Sequence, residues 1–223
     1  MIIAIDGPSG AGKSTLGRMI ARELGLLYID TGAMYRAAAL AVIESNVRTT
    51  DAKAVAEVVE RANIKLEGDP DSLQVSLNGR DVSEEIRNEQ VGHTASVISV
   101  LPEVRRILVK RQREMSAHGS GVVLDGRDIS TVVFPEAEVK FFLTAVPEER
   151  AQRRYEDERL KQRDVTFEET LADINTRDTR DSTRADSPLT IAEDAVVIDS
   201  TELSIEEVFE RMMQVIQERR GDF

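Results

Sequence analysis

The 223-residue chain has no cysteine and no tryptophan. Without cysteine, disulfides, thiolate metal sites and cysteine nucleophiles are excluded. Aromatic residues make up only 4% of the chain, so a core must be mostly aliphatic, and the 41% hydrophobic content can fill one. No run approaches the ~20 apolar residues of a membrane span. The first apolar stretch, Ile2–Ile5, meets Asp6 too soon for a signal peptide. A cytoplasmic location is therefore expected. Positive charge is in deficit: the formal net charge is −12. That disfavours non-specific binding to nucleic acid or to an anionic membrane, and solubility is its simplest meaning. Lysine is also scarce: six of the 29 basic residues are Lys and the other 23 are Arg. Arginine grips phosphate bidentately, so phosphorylated substrates would explain the bias, and so would a GC-rich genome. The two histidines, His93 and His118, stand alone and have no assigned catalytic role.

What is present alternates strand and helix. "IIAI" (2–5), "LLYI" (26–29), "GVVLDG" (121–126), "VKFFLTA" (139–145) and "AVVIDS" (195–200) are short apolar runs of the kind found in buried parallel strands. Helical spacing is expected at 13–24, 31–45, 51–62 with an Asp51 cap, 84–99, 102–117, 147–164, 166–184 and 204–220. Thr166 and Glu169 form a capping box. Between the helices expected at 51–62 and 84–99, "IKLEGDPDSLQVSLNGRDV" (64–82) alternates and carries turn signals at Gly68-Asp69-Pro70 and Asn78-Gly79, which predicts a small antiparallel sheet inserted into the pattern. The length suits one domain with insertions. The fold class expected is α/β, with a three-layer parallel sheet whose ligands bind at its carboxyl edge.

"GPSGAGKS" (7–14) fits G-x-x-x-x-G-K-[ST] at every fixed position, directly after a strand and at the start of a helix. That context suits a phosphate cradle: glycines let backbone N–H groups wrap a polyphosphate at a helix N-terminus. Lys13 would reach the β- and γ-phosphates and Ser14 would ligate Mg²⁺. The bland alternative is a Gly-rich turn capping a helix. N/T-K-x-D and D-x-x-G, which a GTPase needs, do not occur.

A second set of residues suits an anionic acceptor. "DTGAMYR" (30–36) opens a helix with Thr31 and brings Arg36 one turn further, although D-T-G is also a good helix cap. "LDGRD" (124–128) ends a buried strand, where Asp125 would orient the metal shell and Arg127 and Asp128 would emerge at the ligand edge. Arg177, Asp181 and Arg184 fall on one helical face, as a site or as an exposed ion-pair ladder.

Together "IDGPSGAGKST", "YIDTGAMYRA", "VLDGRDISTVVFP" and "RDTRDSTRADSPL" resemble the bacterial-type cytidylate kinase family of P-loop nucleoside monophosphate kinases, and "LSIEEV" near the end matches too. The similarity runs in order along nearly the whole chain. It implies a P-loop kinase core at 1–45, 96–149 and 185–223, a monophosphate-binding insertion with its antiparallel sheet at 46–95, and a helical lid with flanking helices at 150–184. It implies ATP as co-substrate, Mg²⁺ as cofactor, CMP and dCMP as acceptors, and a monomer with no nucleic-acid or membrane partner. ATP would be held by Gly7, Pro8, Ser9, Gly10, Ala11, Gly12, Lys13, Ser14 and Thr15, and the metal by Ser14 and Asp125, the latter directly or through water. CMP would be held by Thr31, Tyr35, Arg36 and Arg127 around the monophosphate, by Ser96, Arg105 and Asp128 at the cytosine, and by Arg177, Asp181 and Arg184 at the sugar and base-side network. Lys13, Arg127, Arg154 and Arg159 are the implied catalytic cations, and Arg150, Arg153 and Arg163 share the charged lid stretch, which lacks the glycine common in that turn of the family. A kinase of another small acceptor, such as shikimate or a different nucleotide, and a nucleotide-binding switch are the rival readings.

Overall fold

The computed structural model describes residues 1–117, 121–160 and 164–221. Its described elements are β1 (Ile2–Asp6), α1 (Lys13–Leu24), β2 (Leu27–Asp30), α2 (Thr31–Glu44), α3 (Ala52–Arg61), β3 (Ile64–Glu67), β4 (Gln74–Leu77), β5 (Arg80–Asp81), α4 (Glu89–Ile98), α5 (Pro102–Ser116), β6 (Val122–Gly126), β7 (Val139–Thr144), α6 (Pro147–Leu160), α7 (Phe167–Thr183), β8 (Val196–Asp199) and α8 (Ile205–Gly221). Five strands form one sheet in the order β2-β6-β1-β7-β8, and β3-β4-β5 form a second, antiparallel sheet. The expected α/β class, with a parallel sheet and a small antiparallel insertion, is borne out.

The chain divides into two compact units: Met1–Ile20 with the chain from Asp125 onward, and Ala21–Leu124. In the first, β1 pairs parallel with β7 and β7 with β8, in the registers Ile5↔Phe141 and Leu143↔Ile198. Ile3, Ile5, Phe141 and Leu143 are fully enclosed, which is why these runs are continuously apolar rather than alternating. Helix α8 packs on β7 and buries Val208, Met212 and Ile216 at helical spacing. Glu169 and Thr166 make the reciprocal capping box that starts α7.

In the second unit, α2 carries Ala37, Ala38, Ala39 and Ala41 into an aliphatic core shared with Val55, Val59, Ile64, Leu77 and Leu108. Small side chains let α4 pack along α2. Asp51 caps α3 by accepting from Ala54 N. Asn78 and Gly79 have φ of 53° and 84°, the left-handed pair that a two-residue hairpin turn demands, so β4 and β5 pair through Leu77↔Arg80.

Three local features differ from the sequence expectation. The helix expected at 84–99 is interrupted: residues Glu85–Arg87 form a 3₁₀ turn, and Asn88 restarts the chain as α4 by accepting from Val91 N. Helix α7 stops at Thr183, and Arg184 is extended at ψ 141°, so it lies past the helix rather than on its face. After β6, Ile129–Val133 make a π-helical turn. Of the expected helix at 147–164, the described part is α6; Arg163, like His118, lies outside the described residues.

Candidate active site

The loop between β1 and α1 follows from its glycines. At Gly7 (φ +148°) a Cβ would stand 2.0 Å from the Leu143 carbonyl oxygen, so only glycine lets the loop leave β1 beside β7. Lys13 and Ser14 then open α1. The Lys13 ammonium is buried and donates to the Pro8 carbonyl at 2.7 Å, which curls the side chain back over the loop. Burial first, and the neighbouring Arg127 charge second, hold its pKa down to about 7 against the opposing pull of Asp125, Asp6 and Asp181. Ser14 Oγ donates to Asp125 Oδ2 at 2.7 Å. A hydroxyl beside a carboxylate is a hard oxygen pair that suits Mg²⁺, which usually takes one or two protein oxygens and completes its shell with water and phosphate. Among the described residues no cluster of three or more His, Cys, Asp or Glu is placed to hold a metal. An ion here would therefore lean on the nucleotide as well as on Ser14 and Asp125.

Strand β6 delivers Asp125, and Arg127 and Asp128 follow it. Arg127 Nε donates to Asp181 Oδ2 at 2.8 Å, and Arg127 Nη1 to the Gly126 carbonyl at 3.3 Å. Burial alone would lower the Arg127 pKa; the Asp181 carboxylate overrides it and raises the value. Arg184 lies 3.9 Å from the other Asp181 oxygen and 3.6 Å from Asp128 Oδ1. Its Nε donates to the Ser187 carbonyl at 2.6 Å. Arg127, Asp181, Arg184 and Asp128 thus form one continuous, largely buried chain of alternating charge. Behind it, the fully buried Asp6 carboxylate accepts from Ile129 N and Ser130 N, each at 2.8 Å, and from Ser130 Oγ. Burial raises the Asp6 pKa, and these hydrogen bonds only partly oppose it. They anchor the first turn of the π-helical segment that follows Asp128.

Arg177 does not join Asp181. It donates instead to Asp173, one turn back on α7, at 3.1 Å, and Arg154 reaches the same carboxylate from α6 at 3.5 Å. Burial, then the Arg154 charge, lower the Arg177 pKa. Arg159 stacks over the Tyr155 ring at 5.7 Å from its centroid. Arg150 and Arg153 are turned elsewhere: Arg153 donates to the hydroxyl and carbonyl of Ser200, and Arg150 to Ala145, Ser9 and Asp178.

In the other compact unit, the buried Thr31 opens α2 behind its Asp30 cap, which accepts from Ala33 N. Arg36 Nη1 donates to the Ile86 carbonyl at 3.2 Å. Arg105, on α5, lies over the Tyr35 ring at 5.9 Å and donates to the Ser99 carbonyl at 3.2 Å. Ser96 sits on α4, one turn after Gly92. Gly92 leaves the space that the Arg36 guanidinium occupies; a Cβ there would lie 2.9 Å from Nη1. Sequence reading passed over Gly92, Asp6, Asp173 and Asp178. A glycine inside an amphipathic helix was the one signal available, for Gly92.

A family model described as cytidylate kinase matches residues 3–218 of the chain. Cytidylate kinase of Caldanaerobacter subterraneus subsp. tengcongensis is 53% identical over 215 residues, covering 96% of this chain and 94% of that protein. That of Geobacter sp. strain M21 is 49% identical across all of this chain and 96% of its own, and that of Rhodococcus opacus is 46% identical over 99% and 96%. Among solved structures, an uncharacterized protein from Eubacterium ventriosum matches at TM-score 0.50 and 10% identity over 97% of this chain and 98% of that one, a likeness of fold alone. The chain belongs to the cytidylate kinase family and is a nucleoside monophosphate kinase.

Proposed function

We propose that the chain transfers the γ-phosphoryl group of ATP to CMP, and to dCMP, in line and with Mg²⁺. The observation that carries this reading is the buried Arg127–Asp181–Arg184–Asp128 chain, which fixes two guanidiniums and two carboxylates, Arg127 and Asp128 among them directly after the strand that supplies Asp125. Residues 7–15 hold the ATP phosphates. Ser14 and Asp125 hold the metal, which when bound would neutralise phosphate charge. Thr31, Arg36 and Arg127 take the monophosphate, with Tyr35 beside Arg105. Ser96, Arg105 and Asp128 read cytosine, and Arg177, Asp181 and Arg184 serve the sugar and order the base side. Cytosine offers an amine next to two acceptors: Asp128 accepts from the amine, and Arg105 donates. Uracil would turn a carbonyl toward Asp128, and a site of buried polar pairs discriminates against such a swap by about 10⁴-fold.

Phosphoryl transfer passes through a loose transition state, so it needs positioning and positive charge more than a covalent catalyst. Lys13 meets the β- and γ-phosphates, and binding them restores the charge that its burial disfavours. Arg127, Arg154 and Arg159 add cations around the transferred group. In this reading residues 150–184 act as a lid that excludes water, which keeps ATP from hydrolysis, and residues 46–95 form the monophosphate-binding insertion. The test is coupled ADP release across CMP, dCMP, UMP, AMP and shikimate. Turnover with CMP and dCMP well above UMP, AMP and shikimate supports the reading. Preference for another acceptor, or ATP hydrolysis indifferent to acceptor, overturns it.

A further inference from the structure

Arg150 is the fourth residue of α6 and lies in its first turn, in a helix whose sequence reads as a solvated charged surface. It is nevertheless buried, its side chain only 4% exposed. Each arm of the guanidinium has its own acceptor: Nε donates to the Ala145 carbonyl at 2.8 Å, Nη1 to the Ser9 carbonyl at 3.0 Å, and Nη2 to Asp178 Oδ2 at 2.6 Å. The acceptors come from the end of β7, the glycine loop and α7. Asp178 has Arg150 as its ion-pair partner, and its Oδ1 is buried with no hydrogen-bond partner among the described residues. The loop presses on the same turn of α6: a Cβ at Gly10 would lie 3.1 Å from both the Cβ and the carbonyl oxygen of Arg150. A buried guanidinium with three fixed donors, one of them on a carboxylate, is a costly thing to place for surface solvation alone.

The acceptor in the loop gives the arrangement its meaning. A trans peptide is planar, with its C=O and N–H on opposite sides, and the described chain contains no cis peptide. A hydrogen bond that holds the Ser9 carbonyl toward Arg150 therefore turns the Gly10 N–H away from Arg150. We infer that Arg150 is a positioning residue: it locks the Ser9–Gly10 peptide so that the Gly10 N–H is presented to the nucleotide polyphosphate, and through Asp178 it ties that peptide to α7. It touches no substrate. Its charge is spent on the loop's outer side, unlike the charges proposed for Arg154 and Arg159.

The inference rests on the proposed reading that residues 7–15 hold the ATP phosphates, and Lys13→Met tests that reading separately. Arg150→Lys keeps the charge but offers a single point donor in place of the three-armed fork. It should weaken ATP, measured by titration calorimetry in magnesium buffer, by about tenfold or more. CMP affinity should stay within twofold, and in kinetics the loss should fall on the KM for ATP. Equal weakening of both nucleotides would mark Arg150 as a general structural prop, and unchanged ATP affinity would show that the peptide needs no lock; either result overturns the inference. If Lys13→Met also leaves ATP binding intact, the loop reading itself has failed. Should Arg150→Lys fail to fold, Asp178→Ala decides, since it leaves the two carbonyl contacts of Arg150 in place. A selective loss of ATP affinity of about threefold supports the lock, and no loss, or an equal loss for CMP, sinks it.

Discussion

Replacing Asp181 by alanine separates a buried site network from a solvated helix face. On an exposed helix a pair such as Asp181–Arg184 is worth about 0.3–0.5 kcal/mol, and surface pairs in general about 0.2–1 kcal/mol. The geometry here is of another kind. The Asp181 side chain is 10% exposed, and its partners Arg127 and Arg184 are 26% and 3% exposed. One carboxylate oxygen takes a 2.8 Å bond from Arg127 Nε, and the other faces Arg184. A hydrogen bond to a charged group is worth about 1.5–3 kcal/mol, and removing one partner of a buried pair costs about 3–5 kcal/mol because it strands the other. Arg127 keeps some solvent and a bond to Gly126, which moderates that upper figure, so Asp181→Ala should cost roughly 2–4 kcal/mol of stability. At about 2–4 °C per kcal/mol for a chain of this size, the fall in Tm should be roughly 4–16 °C. The cleaner quantity is the coupling between Asp181→Ala and Arg127→Ala in a double-mutant cycle read by denaturant unfolding, expected at about 1–3 kcal/mol. Catalysis should follow, with the KM for CMP raised at least tenfold. A coupling below about 0.5 kcal/mol together with CMP kinetics within twofold of the wild type would refute the buried-network argument and restore the surface ladder.

Lys13→Ala should leave the far-ultraviolet circular dichroism unchanged and cut kcat by about 10²-fold or more, since on the proposed reading Lys13 would meet charge that redistributes in the transition state; unaltered turnover would remove the loop from the chemistry. Gly92→Ala should improve helix propensity by about 1 kcal/mol while its Cβ, 2.9 Å from Arg36 Nη1, displaces the guanidinium. A stable protein with CMP affinity reduced severalfold is expected, and an unstable one with normal CMP affinity would count against Arg36 as a ligand. Asp128→Asn should lower the CMP/UMP ratio of kcat/KM by at least about tenfold, or 1.4 kcal/mol, because the charge that on the proposed reading would repel the uracil carbonyl is gone; a uniform fall for both would move Asp128 to the phosphates.

Contiguous features were legible in the sequence. Five apolar runs, the glycine loop and its lysine, the Asn78-Gly79 turn and the Thr166–Glu169 box all take their conformation from residues within a few positions of one another, and all stand where spacing put them. Partnerships were legible only up to a symmetry. Arg177 has a carboxylate one turn away on each side, Asp173 and Asp181, and helical spacing treats them alike. The choice is made from outside α7, because Arg127 occupies Asp181, leaving Asp173 to Arg177 and Arg154. Asn88 and Arg184 show the same limit at element ends: a single cap broke one expected helix, and the extended backbone of Arg184 ended another. The π-helical turn at Ile129–Val133 was invisible because what anchors its first N–H groups, Asp6, lies 123 residues earlier.

The same distant pairings explain how a chain of net charge −12 can be built to hold polyanions. Net charge governs solubility and long-range steering, whereas binding depends on which cations lack sufficient counter-charge where water is excluded. Arg127 has a carboxylate in direct hydrogen bond, and its charged form is favoured despite burial. Lys13 and Arg177 are different: Lys13 is buried and Arg177 partly so, each has another cation as its next-largest influence, and in each the pKa is lowered. Arg154 and Arg177 together share one carboxylate, so that cluster carries surplus positive charge that Asp173 alone does not cancel. On the proposed reading an incoming phosphate would supply the missing counter-charge at these positions. The free energy of relieving them would then add to nucleotide binding and be denied to an uncharged ligand of the same shape.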